Sequence, residues 1–568
     1  MKQIVHLATA SVALFLAFAC LTLIPQPARA QGGNGKPEIS YIDRGDIGTL
    51  DPNRMSWAQD IRVGQSLYEG LYTIDPVTFQ PVLGAADRVQ VSDDKKVWTF
   101  HIRDNAKWSN GDPVTTADFV FAWRRMLEEP GDYTYLLDQY IQGAKEYEDA
   151  FADYITKHAA GNSSSRPDFK TVAIDAIDSN NIRLTLKNPC GFFPDLLAFE
   201  CYYPCNERSM AAFRETDPKT DRTTFNAAWA TPPNLVTNGP YKLVKWELRV
   251  GMKLEPNPFY WDKDNVKNGG VTVVVAEDPL TMLRKFDAHD VDILAELTGE
   301  VAANMRSAGR KDIHIDPSFG TYFYSFLCKD QLPDGTKNPF ADVRVRQAFS
   351  MAIEKEPIVR NITKAGEPVT DVYVPPGVFP GYKSPDGLKF DVKKARQLMK
   401  DAGYPAGKNF PQIKLTFNTE GGEHKAVAEY VANQWKKNLN VTVDLEGVEI
   451  KQFQHRLHFK QYAVARASWY GDYMDVSTFT DKYVTNGGNN DSAWSNKEFD
   501  SLLDQAAREP DMQKRFDLLA RAEQILVTEC PITPLYNYVN KLAYRDEIKG
   551  LNPNPRNIIV LKNISKEK

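Results

Sequence analysis

Arg466-Ala467-Ser468-Trp469-Tyr470-Gly471-Asp472-Tyr473-Met474-Asp475-Val476-Ser477-Thr478-Phe479 is the stretch from which the rest of the chain is read. Asp472 stands between two tyrosines, just after a Trp-Tyr pair, and Gly471 permits close backbone approach. A carboxylate in an aromatic, partly desolvated wall suits one task well, which is holding a cation that has left water. The same pattern also fits a strand end whose aromatics are core and whose Asp caps a turn, because aromatic-Gly-Asp turns are common. The surrounding chain has to choose between these readings.

At 568 residues the chain exceeds what one core usually carries, so two or three domains are expected. Its hydrophobic content of 42% and charged content of 25% are those of an ordinary soluble globular protein. Many of its Tyr and Trp residues sit in polar surroundings, which suits a surface that grips ligands. The N-terminus reads as an export signal: Lys2 is positive, Ala8 to Ile24 is almost wholly apolar, and Ala28-Arg29-Ala30 is a cleavage site. Lipid on Cys20 is a second reading, weakened by Phe18 and by the apolar run beyond the cysteine. No later segment has the roughly 18 apolar residues of a membrane span. Cleavage after Ala30 removes only Lys2 and Arg29, so the net charge of −5 becomes two units more acidic. There is no basic run and no basic-aromatic module, so no nucleic-acid partner is expected.

Five cysteines follow Cys20: Cys190, Cys201, Cys205, Cys328 and Cys530. Outside the cytoplasm disulfides are allowed, and an odd count leaves one thiol over. No Cys/His pair accompanies Cys201-Tyr-Tyr-Pro-Cys205 at zinc-binding spacing, so a local disulfide involving Cys190, or simple burial, is expected instead.

Strand and helix signals alternate irregularly, without an internal repeat. Trp98, Phe100 and Ile102 alternate as on a half-buried strand, as does Ile182 to Leu186. Thr116 is expected to cap a helix carrying Phe119, Trp123, Met126 and Leu127 on one face. Val271 to Val275 and Thr321 to Leu327 read as strands, and a helix carrying Val392, Ala395, Leu398 and Met399 should end at Gly403. Further helices are expected over Glu423 to Lys437 and within 497–527, then a last strand over Pro534 to Tyr544. The fold class is therefore α/β, with mixed sheets in more than one lobe.

Catalytic motifs are absent: there is no Gly-x-Ser-x-Gly, His-Glu-x-x-His or P-loop. His455 and His458 have helical i, i+3 spacing but no matching carboxylate or Cys, so they read as solvated side chains and no metal is expected. Asp262 to Lys267 lacks the glycine that a calcium loop needs at its sixth position. No cofactor is implied.

Several runs carry a resemblance. They are Leu67-Tyr-Glu-Gly-Leu-Tyr-Thr-Ile-Asp-Pro76, Trp98 to Val114, Ala117-Asp-Phe-Val-Phe-Ala-Trp-Arg-Arg125 and Thr237-Asn-Gly-Pro-Tyr241. With them go Asn257 to Asp262, Asp342 to Ala348, Ala395 to Gly403 and Pro534 to Asn540. In this order they resemble the extracytoplasmic solute-binding proteins of family 5, the peptide-binding components of ABC importers, over nearly the whole mature chain. The resemblance implies a periplasmic-binding-protein-like, two-lobed fold with an extra third domain, closing by hinge motion. Domain I would be 31–68, 190–320 and 539–568; domain II, 69–189; domain III, 321–538.

The resemblance also implies the site. Asp472 would accept the α-ammonium of a peptide, a group with three donors that needs a charged acceptor once buried. Ser468 and Tyr470, beside Trp469, would offer backbone groups to a peptide bound as an added strand, with Ser56 and Trp57 on the other pairing segment. Tyr133 would line the site, and Arg466 and His424 would meet the peptide's carboxylate. The chain departs from the family at Ser56, where a second acid is usual, at Ile450 for a pocket Trp and at Leu457 for an Arg. Gly320 and Tyr470 stand in place of a pair of disulfide-forming cysteines. The implied protein is a periplasmic monomer, not an enzyme, serving the permease subunits of an inner-membrane ABC importer. A family-5 binder of a dipeptide, opine, sugar or metal chelate, and an exported hydrolase, are the alternatives.

Overall fold

The computed structural model describes residues 35–162, 164–420 and 423–567. The expected signal peptide, its cleavage after Ala30 and the lipid reading at Cys20 lie outside the described residues.

A ten-stranded mixed sheet runs through the molecule. Its spatial order is Tyr241–Glu247, Gly251–Pro256, Val271–Ala276, Ile39–Arg44, Ile293–Leu294, Ile532–Tyr544, Ile313–Phe326, Val464–Tyr470, Ile413–Asn418 and Val443–Val448. Ile39–Arg44 is parallel to Val271–Ala276, and Ile413–Asn418 to Val443–Val448, while the two long central strands pair antiparallel. Those central strands join two lobes. Near Ala543 and Tyr544 they are flanked by Ile293–Leu294, and from Gly320 to Phe326 by Val464–Tyr470. Their register slips between Pro317 and Thr321, where proline has no N–H to give to the ladder.

A separate antiparallel sheet, in the order Ala86–Val91, Val97–Ile102, Asn181–Thr185, Ile174–Ala176, accompanies helices Thr116–Glu128 and Ala144–Ala159. Trp98, Phe100 and Ile102 are buried as their alternation requires, and so are Phe119, Trp123, Met126 and Leu127. The cap of that helix is Thr115, not Thr116. The Asp118 carboxylate reaches back to accept from the Thr115 N–H at 2.8 Å and hydroxyl at 3.1 Å, whereas the Thr116 hydroxyl donates to the Asp178 carbonyl at 2.6 Å. This sheet's apolar residues run without a break into the core around Tyr41 and Tyr241. The second lobe has its own core around Phe349 and Trp435, and a third cluster around Phe319, Phe479 and Phe516 lies beneath the 470–480 loop.

Helix Val392–Asp401 stops before Gly403, whose φ is +93°, and Glu423–Leu439 is helical. The 497–527 region is two helices, Lys497–Arg508 and Met512–Glu529, broken at Pro510 and restarted by Asp511, whose side chain accepts from the Lys514 N–H. The expected disulfide at Cys190 does not form: all five described cysteines are free thiols. Cys205 lies against Arg125 and Asn53, while Cys190 borders a cavity that Arg515 and Phe192 also line. Burial takes the place of the bridge.

Candidate functional site

The strand Val464–Tyr470 pairs with Ile313–Phe326 along its whole length, but with Ile413–Asn418 only at Val464 and Ala465. The Gly471 N–H donates to the Phe319 carbonyl at 2.9 Å. Because bonding alternates along an antiparallel ladder, Ala467 and Trp469 turn their backbone groups toward that neighbour. Arg466, Ser468 and Tyr470 turn theirs to the open edge, which is a template for another strand.

Asp472 follows at the end of this edge. Its N–H donates to the Thr478 hydroxyl at 2.9 Å, and its carboxylate accepts a hydrogen bond from the Tyr135 hydroxyl. Burial pushes the carboxyl up to about 6, against the opposing pull of Tyr135, Arg556 and Lys482. A carboxylate held this way gains from any cation delivered to it. Gly471 is required, since a side-chain carbon there would fall 2.0 Å from the Phe319 ring. Gly320 and Tyr470 are direct cross-strand partners, and the Tyr470 ring covers Gly320.

The indole of Trp469 points to the other face. It donates to the Thr478 carbonyl at 2.7 Å and lies under the Lys482 ammonium, 4.7 Å from its ring centre. It therefore braces the turn that presents Asp472. Tyr133 sets its ring edge-on to Phe199 at 4.8 Å, and its hydroxyl is raised by burial and then by Asp472. Its neighbour Tyr135 makes the bond to Asp472. Ser56 and Trp57 do not form a strand; Trp57 is extended at φ −98° and ψ 142°, immediately before helix Ala58–Leu67, with its ring exposed.

Six residues before Asp472, Arg466 donates to the Tyr538 hydroxyl at 2.9 Å and lies 5.0 Å above the Tyr322 ring. Its Nε is buried without a partner, and among the described residues no carboxylate forms an ion pair with it. A guanidinium left without an acid is matched to a carboxylate brought from outside. His424 lies beside the same Tyr322, whose hydroxyl is 3.3 Å from Nδ1. Burial, reinforced by Arg466, pushes the imidazole down to about 3, so His424 is neutral and Arg466 alone brings charge. His455 and His458 lie on helix Ile450–His458, with their rings against Phe459.

Tyr470 is 51% exposed, yet burial raises its hydroxyl well above the tyrosine range. The Glu296 carboxylate adds to that rise. The Glu296 carboxyl is itself raised, by burial and by Asp43. Both rims of the cleft are in contact. On one side a side-chain carbon at Gly299 would fall 2.7 Å from the Glu423 carboxylate and 2.9 Å from the Thr363 carbonyl. On the other, Tyr473 stacks on Phe192 at 4.8 Å, and the Tyr140 hydroxyl donates to that of Tyr473 at 3.2 Å.

A cleft shut between two lobes, with an acid at one end of a free strand edge and an unpaired guanidinium at the other, is the architecture of a protein that encloses its solute. The chain belongs to the bacterial extracellular solute-binding proteins, family 5, whose middle-region model matches residues 80–491. It is similar to the oligopeptide-binding protein OppA of Bacillus subtilis, 32% identical over 91% of this chain and 90% of that protein. The dipeptide-binding protein DppE of the same organism is 30% identical over 99% of each. Among solved structures, Haemophilus influenzae OppA in complex with RPPGFSPFR is 27% identical, with a TM-score of 0.76 over 94% of this chain and 99% of that one. The family and these relatives are binding proteins. No helix among the described residues is long and apolar enough to cross a membrane.

Proposed function

We propose that this protein captures oligopeptides in extended form and delivers them to an ABC importer of the inner membrane, working in the periplasm as a monomer without catalysis. The observation that carries the proposal is the open edge of residues 466–470, ending at Asp472 and beginning at an arginine without an acid. A peptide laid along that edge pairs through its main chain, which gives affinity independent of side-chain identity. Its α-ammonium meets Asp472, and its carboxylate meets Arg466 beside the neutral His424. On this reading Tyr133, Tyr470, Ser56 and Trp57 line the bound peptide, and Trp469 braces the turn. The lobes divide as 31–68, 190–320 and 539–568 for the first, 69–189 for the added domain and 321–538 for the second. The register slip at Pro317–Thr321 supports a flexion point at that boundary.

The relatives named for oligopeptides and for a dipeptide support a peptide ligand without fixing its length. Native mass spectrometry of the purified protein, with calorimetry on a set of di- to hexapeptides, tests the reading. Co-purified peptides and recovery of the added peptides intact are expected. A sugar or metal chelate in their place, or cleaved peptides, would refute it.

A further inference from the structure

The Asp472 turn is held from its far side by two residues distant in sequence. Asp195 accepts from Arg556 Nη1 at 2.7 Å through one oxygen and from the Met474 N–H at 2.8 Å through the other. The second terminal nitrogen of Arg556 donates to the Asp472 carbonyl at 3.3 Å. These bonds close a ring through the backbone of Asp472, Tyr473 and Met474. The Asp195 and Arg556 side chains are only 3% and 9% exposed, and Tyr473 is clamped within the ring by its stack on Phe192. On the lobe division proposed above, Asp195, Phe192 and Arg556 belong to the first lobe and the turn to the second, so the ring is made between lobes.

We propose that Asp195 and Arg556 are positioning residues that join capture of the ligand's amine to closure of the lobes. When the lobes part, the Asp195–Arg556 pair stays intact on its own lobe, and only its bonds to the Met474 N–H and Asp472 carbonyl are given up to water. Closure remakes both as charge-assisted bonds and fixes the turn so that the Asp472 carboxylate faces the ligand. The effect falls on the lifetime of the closed complex rather than on encounter, since the ring is absent while the ligand enters. The inference rests on the peptide-binding reading.

The test uses the full-length protein and the tightest-binding member of the di- to hexapeptide set. Stopped-flow kinetics should show koff rising about 10- to 100-fold in Asp195→Asn, the cost of hydrogen bonds to a charged group, with kon within about twofold of wild type. Arg556→Lys keeps the charge pair but does not bridge to the Asp472 carbonyl, so its koff should be intermediate. N-acetylating the peptide should cost Asp195→Asn less than it costs wild type, because placing Asp472 against the amine is what the ring supplies. A further measurement needs no variant: exchange of the Met474 amide in wild-type protein should slow at least about tenfold when peptide is added. Unchanged koff in both variants, or equal Met474 exchange with and without peptide, would overturn the inference while peptide binding stands. If no member of the set binds wild type, the peptide-binding reading fails and the inference falls with it.

Discussion

The Tyr135 hydroxyl donates a hydrogen bond to the Asp472 carboxylate, joining residues 337 positions apart on opposite walls of the cleft. This bond opposes the rise that burial imposes on Asp472. Tyr135→Phe should therefore move the midpoint of the pH–affinity profile upward from about 6. Calorimetry between pH 5 and 9 measures it, and an unmoved midpoint would mean that the bond does not act on the ligand-binding carboxylate.

Binding itself should depend on pH in one direction. In the closed, ligand-free protein Asp472 holds its proton up to about pH 6, and a bound ammonium favours the ionised form. Below that pH the proton must leave for the ligand to bind, so affinity should weaken by about tenfold per unit; it should level off near neutrality and fall again above about pH 8, where the peptide's own amine loses its proton. Calorimetry in buffers of differing ionisation enthalpy should detect about one proton released at pH 5 and almost none at pH 7, where Asp472 is ionised and the peptide amine is still protonated. Proton uptake at pH 5 would contradict the assignment.

The same carboxyl makes a stability prediction. A pKa raised from 3.8 to about 6 in the folded state means a contribution that is full below the ordinary carboxylate range and lost as pH rises through about 6. The loss amounts to about 3 kcal/mol once Asp472 is ionised. Asp472→Asn avoids it, so thermal melts of the ligand-free proteins should show the variant gaining on wild type between pH 4 and pH 8. A constant difference would mean that burial does not penalise this carboxylate.

Arg466 sets an expectation about ligand length. It lies six residues before Asp472, on the order of 20 Å along an extended chain at about 3.3 Å per residue. Peptides of roughly four to six residues reach from one group to the other. C-terminal amidation should weaken those lengths in wild type and change little in Arg466→Gln, while dipeptides should be indifferent to amidation in both. Calorimetry across the set decides it, and equal affinity for free and amidated peptides at every length would remove Arg466 from the site.

Much of this site was legible in the chain because it is local. The aromatic-Gly-Asp turn and the strand before it follow from adjacent residues and alternation, whereas the need for glycine at 471 comes from the distant Phe319 ring. The partners of Asp472 were less so. Tyr133 and Tyr135 are two residues apart, and only the path of the 131–138 segment decides which hydroxyl reaches Asp472. Asp195 and Arg556 carry no local pattern, being ordinary charges until the two lobes bring them together. Trp469 looked like part of the wall, but the pleat sends its indole to the opposite face from Ser468 and Tyr470. Thr115 and Thr116 are both good caps, and the reach of Asp118 selects the first. The cysteine spacing 201–205 left open a bridge with Cys190 or simple burial, and the three are buried free thiols; nothing in the spacing encodes where Cys190 lies.

Whether Asp472 holds the amine of the ligand is decided by a double-mutant cycle read by calorimetry at pH 8, using wild type and Asp472→Asn, each with a free peptide and its N-acetylated form. Removing one partner of a buried pair typically costs about 3–5 kcal/mol, or roughly two to three and a half decades in affinity. Each single change should cost that much, and the second should add little to the first, because both remove the same contact. If the two losses instead add in full, Asp472 does not touch the amine, and its place beside Tyr135 is that of a residue capping a turn.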